Sequence, residues 1–197
     1  ATAPFVDREA ELAALHQALV YTCAGRCMAM LVRGPSGMGK TALLRQFLTE
    51  ARANPATIVL LGRCYERERV PFKAFDGAID TLTLALEAMP IEERVALLPK
   101  GVEDLAFLFP VLKRVLVRTK PEARTGLNQG EARGRAFEAM RRLMLRLGRR
   151  GLLVLFIDDI QWSDAESFAL LQEILAPPDA PPMLILATAR ADFLDAL

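Results

Sequence analysis

Apolar positions along this chain fall into two kinds of run. Residues 28–32, 57–61, 152–157 and 183–188 are nearly unbroken apolar stretches. A strand covered on one face alternates apolar with polar residues, so continuous runs of this length predict strands buried on both faces. Elsewhere the apolar positions recur every three or four residues, the helical period. Leu12, Leu15 and Leu19 mark an N-terminal helix, with Asp7 placed to cap it and Glu9 suited to its positive end. Leu43, Leu44, Phe47, Leu48 and Ala51 share one face of a helix over residues 41–52. Residues 72–88 and 91–98 read as helices divided by Pro90 and closed by Pro99, and two further apolar pieces, 102–109 and 111–117, meet at Pro110. Residues 119–130 form a polar connector, expected to be the most mobile part. A long helix over 131–150 carries the stripe Ala132, Ala136, Phe137, Met140, Leu143, Met144 and Leu147. Ser163-Asp164-Ala165-Glu166 matches a capping box that launches a helix through Phe168, Leu171 and Leu175. Strands alternating with helices predict an α/β fold with a parallel sheet. Residues 72–118 read as a helical insert on that single domain, 1–197.

Between the first strand and its helix stands Gly34-Pro35-Ser36-Gly37-Met38-Gly39-Lys40-Thr41. Every fixed position of the phosphate-binding P-loop is met, in the required order of strand, loop and helix. The glycines let successive N–H groups turn toward one anion, and the helix N-terminus adds its dipole. Lys40 carries a point charge to the β- and γ-phosphates, and the Thr41 hydroxyl suits Mg²⁺.

Composition narrows the picture. Lys plus Arg is 25 against 24 for Asp plus Glu, a net charge of +1, which gives no support to broad nucleic-acid binding. The arginines of residues 131–150 therefore read as a solvated helix face, with cations favoured toward its C-terminus. No apolar run approaches a membrane span and no signal segment opens the chain, so a cytoplasmic place is expected. Ala1 in place of an initiator Met suggests a piece of something longer. Cys23, Cys27 and Cys64 are expected to be reduced, buried thiols; with His16 the one histidine, a zinc site is disfavoured.

The remaining chemistry sits where strands end, the edge at which open parallel sheets bind ligands. The run over 152–157 ends in Asp158 and Asp159. Asp158 fits the Walker B acid that holds Mg²⁺, and Asp159 is placed to orient or deprotonate the attacking water. The run over 183–188 ends in Thr188, followed by Arg190, a hydroxyl and a guanidinium able to read a γ-phosphate; a salt bridge from Arg190 to Asp192 is the local alternative. Arg63 and Glu66 follow the second strand as weaker candidates.

Together these stretches resemble a known class. Phe5-Val6-Asp7-Arg8-Glu9, Gly34 to Thr41, Asp158-Asp159-Ile160-Gln161-Trp162-Ser163-Asp164 and Thr188-Ala189-Arg190 are similar to the STAND signal-transduction ATPases. Within that class the chain looks most like bacterial modules joined to a serine/threonine kinase or a LuxR-type DNA-binding domain. Arg63-Cys64-Tyr65-Glu66 and Leu108-Phe109-Pro110 favour the kinase-linked branch. The resemblance implies a three-layer P-loop NTPase of the ASCE type with parallel strand order 5-1-4-3-2. Strand 5 and the lid would lie beyond this sequence. It also implies ATP or ADP as ligand, with Val6 and Arg8 near the base, and Mg²⁺ on Thr41 and Asp158. Its partners would be effector domains of the same chain, and possible self-association on ATP binding, with no membrane or direct nucleic-acid contact. The activity implied is slow ATP hydrolysis driving a regulatory switch. A non-hydrolysing nucleotide-dependent scaffold and an AAA+ ATPase of the DNA-replication-loader type are the alternatives.

Overall fold

In the computed structural model, which describes residues 8–116 and 129–193, the four apolar runs become four strands. They are β1 (Met28–Arg33), β2 (Ile58–Arg63), β3 (Leu153–Asp158) and β4 (Leu184–Ala189). All pair in parallel, in the order β1-β4-β3-β2, the order expected without a fifth strand. Last in sequence, β4 lies between β1 and β3. The carboxyl ends finish level, Arg33 opposite Ala189 and Arg63 opposite Asp158.

Side-chain alternation along the strands builds two cores. On one face, Val59, Val154, Phe156, Leu184 and Leu186 pack against Leu15 and Ala18 of α1 (Glu9–Cys23) and Leu43, Leu44, Phe47 and Leu48 of α2 (Lys40–Ala51). On the other, Leu60, Leu155, Ile157, Ile185 and Ala187 meet α3 (Lys73–Glu87), α5 (Val102–Leu108), α6 (Gln129–Arg150) and α7 (Ala165–Ile174). The result is the expected three-layer α/β/α arrangement. The described part of the insert, with α4 (Ile91–Leu97) and a 3-10 turn at Pro110–Arg114, shares the second core, and Phe72 stacks edge-on against both Phe109 and Phe137.

The expectation of full burial holds for β3 and β4 and fails for β1. Met28, Met30 and Val32 face α1 and α2, but Ala29, Leu31 and Arg33 are exposed. The reason is position: β1 is an edge strand, and among the described residues nothing pairs with its outer side. The edge of β2 is treated differently. There α3 lies so close that a Cβ on Gly62 would come within 2.0 Å of the Ala74 carbonyl oxygen, and one on Gly77 within 2.8 Å of that of Leu61. The Leu61 N–H, at the sheet's rim, donates to the Thr81 hydroxyl at 3.1 Å.

Other local expectations are corrected by tertiary partners. The α7 helix is capped by Asp164, which accepts from the Ser167 N–H, and not by Ser163; Glu166 pairs with Arg133 at 2.7 Å instead of closing a capping box. Cys64 is buried and Cys27 half-buried, but Cys23, on the outer face of the last turn of α1, is exposed. Burial pushes the Cys64 thiol up to about 11, so it stays neutral. All three are free, and no metal-ligating cluster occurs among the described residues. The α6 arginines keep the solvated face expected of them while also pairing: Arg135 with Asp104, Arg142 with Glu138 of the same helix, Arg150 with Glu93, and Arg146 with the carbonyls of Ala96, Leu97 and Leu98 that end α4. Asp7 and most of the 119–130 connector lie outside the described residues.

The close approach at β2 generates a prediction. Gly62→Ala must push α3 off the strand and should destabilise the protein by about 1–3 kcal/mol in urea unfolding. Gly134→Ala, on the exposed face of α6 with nothing within 4 Å of a new Cβ, should instead be neutral or stabilising by up to about 1 kcal/mol.

Candidate functional site

The site is built where β1, β3 and β4 end. After Arg33 the chain enters loop 34–39, in which Gly37 (φ +84°) and Gly39 (φ +78°) take the left-handed conformation. A Cβ at either would meet nothing within 4 Å, so glycine is required there by backbone conformation and not by crowding. Pro35, Ser36, Gly37 and Met38 are exposed, and among the described residues the N–H groups of 36–39 donate to no backbone carbonyl. They are thus free to receive an anion, directly before the N-terminus of α2. Lys40 folds back over the loop, its Nζ donating to the carbonyls of Gly34 at 2.8 Å and Pro35 at 2.9 Å. Arg8, preceding α1, donates to the Met38 carbonyl. Val6 lies outside the described residues.

Beside the loop, a chain of hydrogen bonds joins three elements. Asp158, 3% exposed, accepts on one carboxylate oxygen from the Thr41 hydroxyl at 2.8 Å and from the Thr188 hydroxyl at 2.6 Å. Thr188, fully buried, accepts in turn from the Asp159 N–H at 2.8 Å. Its single proton and a lone pair are therefore both used inside the protein, which fixes the turn that carries Asp159. That turn needs Asp159 itself in the left-handed region (φ +58°), a conformation aspartate enters more readily than most residues. The Asp159 carboxylate is half-buried and accepts from the Gln161 amide at 3.1 Å. The other end of that amide accepts the Arg190 N–H at 3.2 Å, and the Arg190 guanidinium stacks over Trp162, 4.9 Å from the ring centre. Arg190 thus rests on the ring and not on Asp192. Arg63 ends β2 opposite Asp158 with its guanidinium over Tyr65, and Glu66 is exposed on the loop beyond.

A second carboxylate frames this arrangement. Asp164 accepts from the N–H groups of Phe72 and Lys73 at the start of α3, at 3.1 and 3.0 Å, as well as from the N–H and hydroxyl of Ser167 in α7. The Ser167 hydroxyl then accepts the Ala74 N–H at 3.2 Å. One short side chain, with its serine, caps two helices far apart in sequence. Burial raises the Asp164 carboxyl, but these four hydrogen bonds outweigh it and hold the group below the usual carboxylate range. Buried Lys73 adds a further tie, donating to the Glu68 carbonyl at 2.9 Å and so fastening the loop after β2. Sequence reasoning noted Gln161, Trp162 and Asp164 as parts of one block without assigning them these tasks, and it missed Lys73; the partners lie too far along the chain for local pattern to show.

Comparisons with known proteins bear on this edge. A family model described as "AAA ATPase domain" matches residues 4–186. An uncharacterized protein of Rhizobium meliloti (strain 1021) is 26% identical over 202 residues, an alignment covering 96% of this chain and 19% of that protein. The chain thus spans about a fifth of that relative's length. Among solved structures, a chain in the structure of Drosophila ORC bound to DNA superposes with a TM-score of 0.50 at 17% identity, covering 97% of this chain and 39% of the other. At that identity the likeness is one of fold.

Asp164 supplies the prediction here. Each lost helix cap costs about 0.5–2 kcal/mol, so Asp164→Ala should cost about 1–4 kcal/mol in chemical unfolding. Because the folded-state pKa is lowered, the wild-type contribution is complete above the unfolded value, near 4, and fades as pH falls through the folded one. The gap between wild type and Asp164→Ala should therefore narrow below about pH 4.

Proposed function

We propose that this chain, which belongs to the AAA ATPase domain family, is the ATP-binding, slowly hydrolysing switch of a signal-transduction ATPase of the STAND type. The observation that carries the reading is the linked set Thr41–Asp158–Thr188–Asp159 standing beside an open glycine loop. A hydroxyl and a buried carboxylate 2.8 Å apart are a hard-oxygen pair of the kind Mg²⁺ prefers. Thr41 and Asp158 would hold that ion, which when bound neutralises charge on the phosphate oxygens.

This chain's own residues supply the rest. The N–H groups of 36–39, which among the described residues donate to no backbone carbonyl, receive the phosphates with the α2 dipole, and Lys40 exchanges its two carbonyl partners for phosphate oxygens. Arg8 is tied to the Met38 carbonyl of the loop, and the resemblance puts it near the base. Asp159 orients the attacking water and takes its proton, while Thr188 works from behind as a positioning residue. Arg190 reads the γ-phosphate, leaving Trp162 to do so. Turnover is slow because Asp159 is one methylene shorter than the glutamate common at this place, and a reacting group about 1 Å out of position costs on the order of 10²-fold. The great length of the Rhizobium relative supports a host protein in which further domains, a kinase or a DNA-binding effector, read the nucleotide state, with self-association on ATP binding. Engagement of the α6 arginines within the fold argues against nucleic acid as a direct partner. Among the described residues no helix is long and apolar enough to cross a membrane, and we place the protein in the cytoplasm.

Isothermal titration tests the reading. Mg-ATP and Mg-ADP should compete in the micromolar range or weaker, and Lys40→Ala should weaken both. Arg190→Ala should weaken ATP about tenfold or more and leave ADP nearly unchanged, since one charge-assisted hydrogen bond is worth about 1.5–3 kcal/mol. Equal loss for both nucleotides would assign Arg190 to structure alone. Phosphate release should stay below about 1 s⁻¹ and fall further in Asp159→Asn with binding retained. Trp162 is the single tryptophan of the chain, so its fluorescence should change on adding ATP and not ADP, and cease to respond in Arg190→Ala.

A further inference from the structure

On the α1–α2 side of the sheet, a cleft of about 370 Å³ opens between α2 and the carboxyl end of β2. Sequence spacing explains its walls. Arg45 in α2 and Arg52, which caps the C-terminus of that helix, both line the cleft, while alternation along β2 puts Leu61 and Arg63 on the same side. Leu48, Leu61 and Phe156 supply an apolar floor. No residue of the glycine loop lines the cleft, and of the hydrogen-bonded set beside that loop only Asp158 does.

The charge of this cleft is unbalanced. Arg114, Arg133, Arg135, Arg142 and Arg150 each have a carboxylate partner elsewhere in the fold. Among the described residues Arg45, Arg52 and Arg63 have none: all three are exposed, and Arg63 lies over the Tyr65 ring, yet all three border one small space. The one carboxylate there, Asp158, is nearly buried and already accepts two hydroxyls. Three exposed like charges around an apolar floor are kept apart by solvent, and an outside anion that bridges them gains from all three at once.

We propose that the cleft binds a second ligand, distinct from the nucleotide in the glycine loop: a small phosphorylated molecule with a compact polyanionic group and an apolar portion. The volume falls within the roughly 300–1,000 Å³ of small-molecule sites. Balancing three guanidiniums in that space takes two or three negative charges on few atoms. An oligophosphate carries them, and its oxygens match the guanidinium fork. The apolar portion lies on Leu48, Leu61 and Phe156.

Titration with inorganic tripolyphosphate in about 0.15 M salt tests this on the full chain, using Lys40→Ala to weaken the loop site. Binding should persist in Lys40→Ala, weaken at least tenfold when R45E/R52E is added, and weaken also, separately, with Arg63→Ala. The charge-matched control K113E/R149E, at exposed positions remote from the cleft, should leave it unchanged. Binding lost entirely in Lys40→Ala, or weakened equally by R45E/R52E and the control, would overturn the proposal. So would citrate binding as tightly as tripolyphosphate through the same arginines. Mg-ATP binding by R45E/R52E with Lys40 intact is expected to survive, so failure of the cleft and failure of the nucleotide reading give different results.

Discussion

One buried carboxylate oxygen holds the functional edge together. Asp158 ends a strand whose every residue is buried, and a charge so placed is costly unless it is hydrogen-bonded. Its two donors come from Thr41 in the first turn of α2, 117 positions away, and Thr188 at the end of β4, 30 positions away. Thr188 arrives because β4 pairs with β3, and Thr41 because the loop after β1 starts α2 at the same edge, so strand order and site chemistry are linked. The same bonds turn Thr188 toward the Asp159 N–H and set the left-handed turn after the strand.

Asp164 does for the insert what Asp158 does for the sheet. By capping α3 and α7 together it fixes where the insert's first helix meets the sheet rim, and Gly62 and Gly77 let that helix approach. Between the two carboxylates lies the Ile160–Trp162 turn, whose Gln161 amide spans from Asp159 to the Arg190 backbone. A shift of Arg190 would thus be felt at Asp159 through one side chain.

Much of the fold was legible in the sequence because burial on both faces leaves no room for polar residues, and β3 and β4 show it without interruption. The P-loop was legible because its glycines answer to backbone conformation, a local property. Legibility failed where the decision is made at a distance. Their apolar character alone did not show that Ala29 and Leu31 are exposed; the unpaired edge of β1 follows only from the strand order that the family resemblance implies. Ser163 looked like the cap from spacing alone, but Asp164 has the additional N–H groups of Phe72 and Lys73 to satisfy, over 90 positions away. The arginines of α6 read correctly as a face of charge, while their individual partners on α4, α5 and α7 did not follow from the helix's own sequence.

The central claim is that Thr41 and Asp158 form the metal-binding half of a nucleotide site whose other half is the glycine loop. The most direct measurement is ATP affinity with and without Mg²⁺, in the wild type and in Asp158→Asn. The account predicts that Mg²⁺ strengthens ATP binding by the wild type, and that this gain disappears in Asp158→Asn while metal-free binding through the loop and Lys40 is kept. An undiminished Mg²⁺ gain in Asp158→Asn would contradict it.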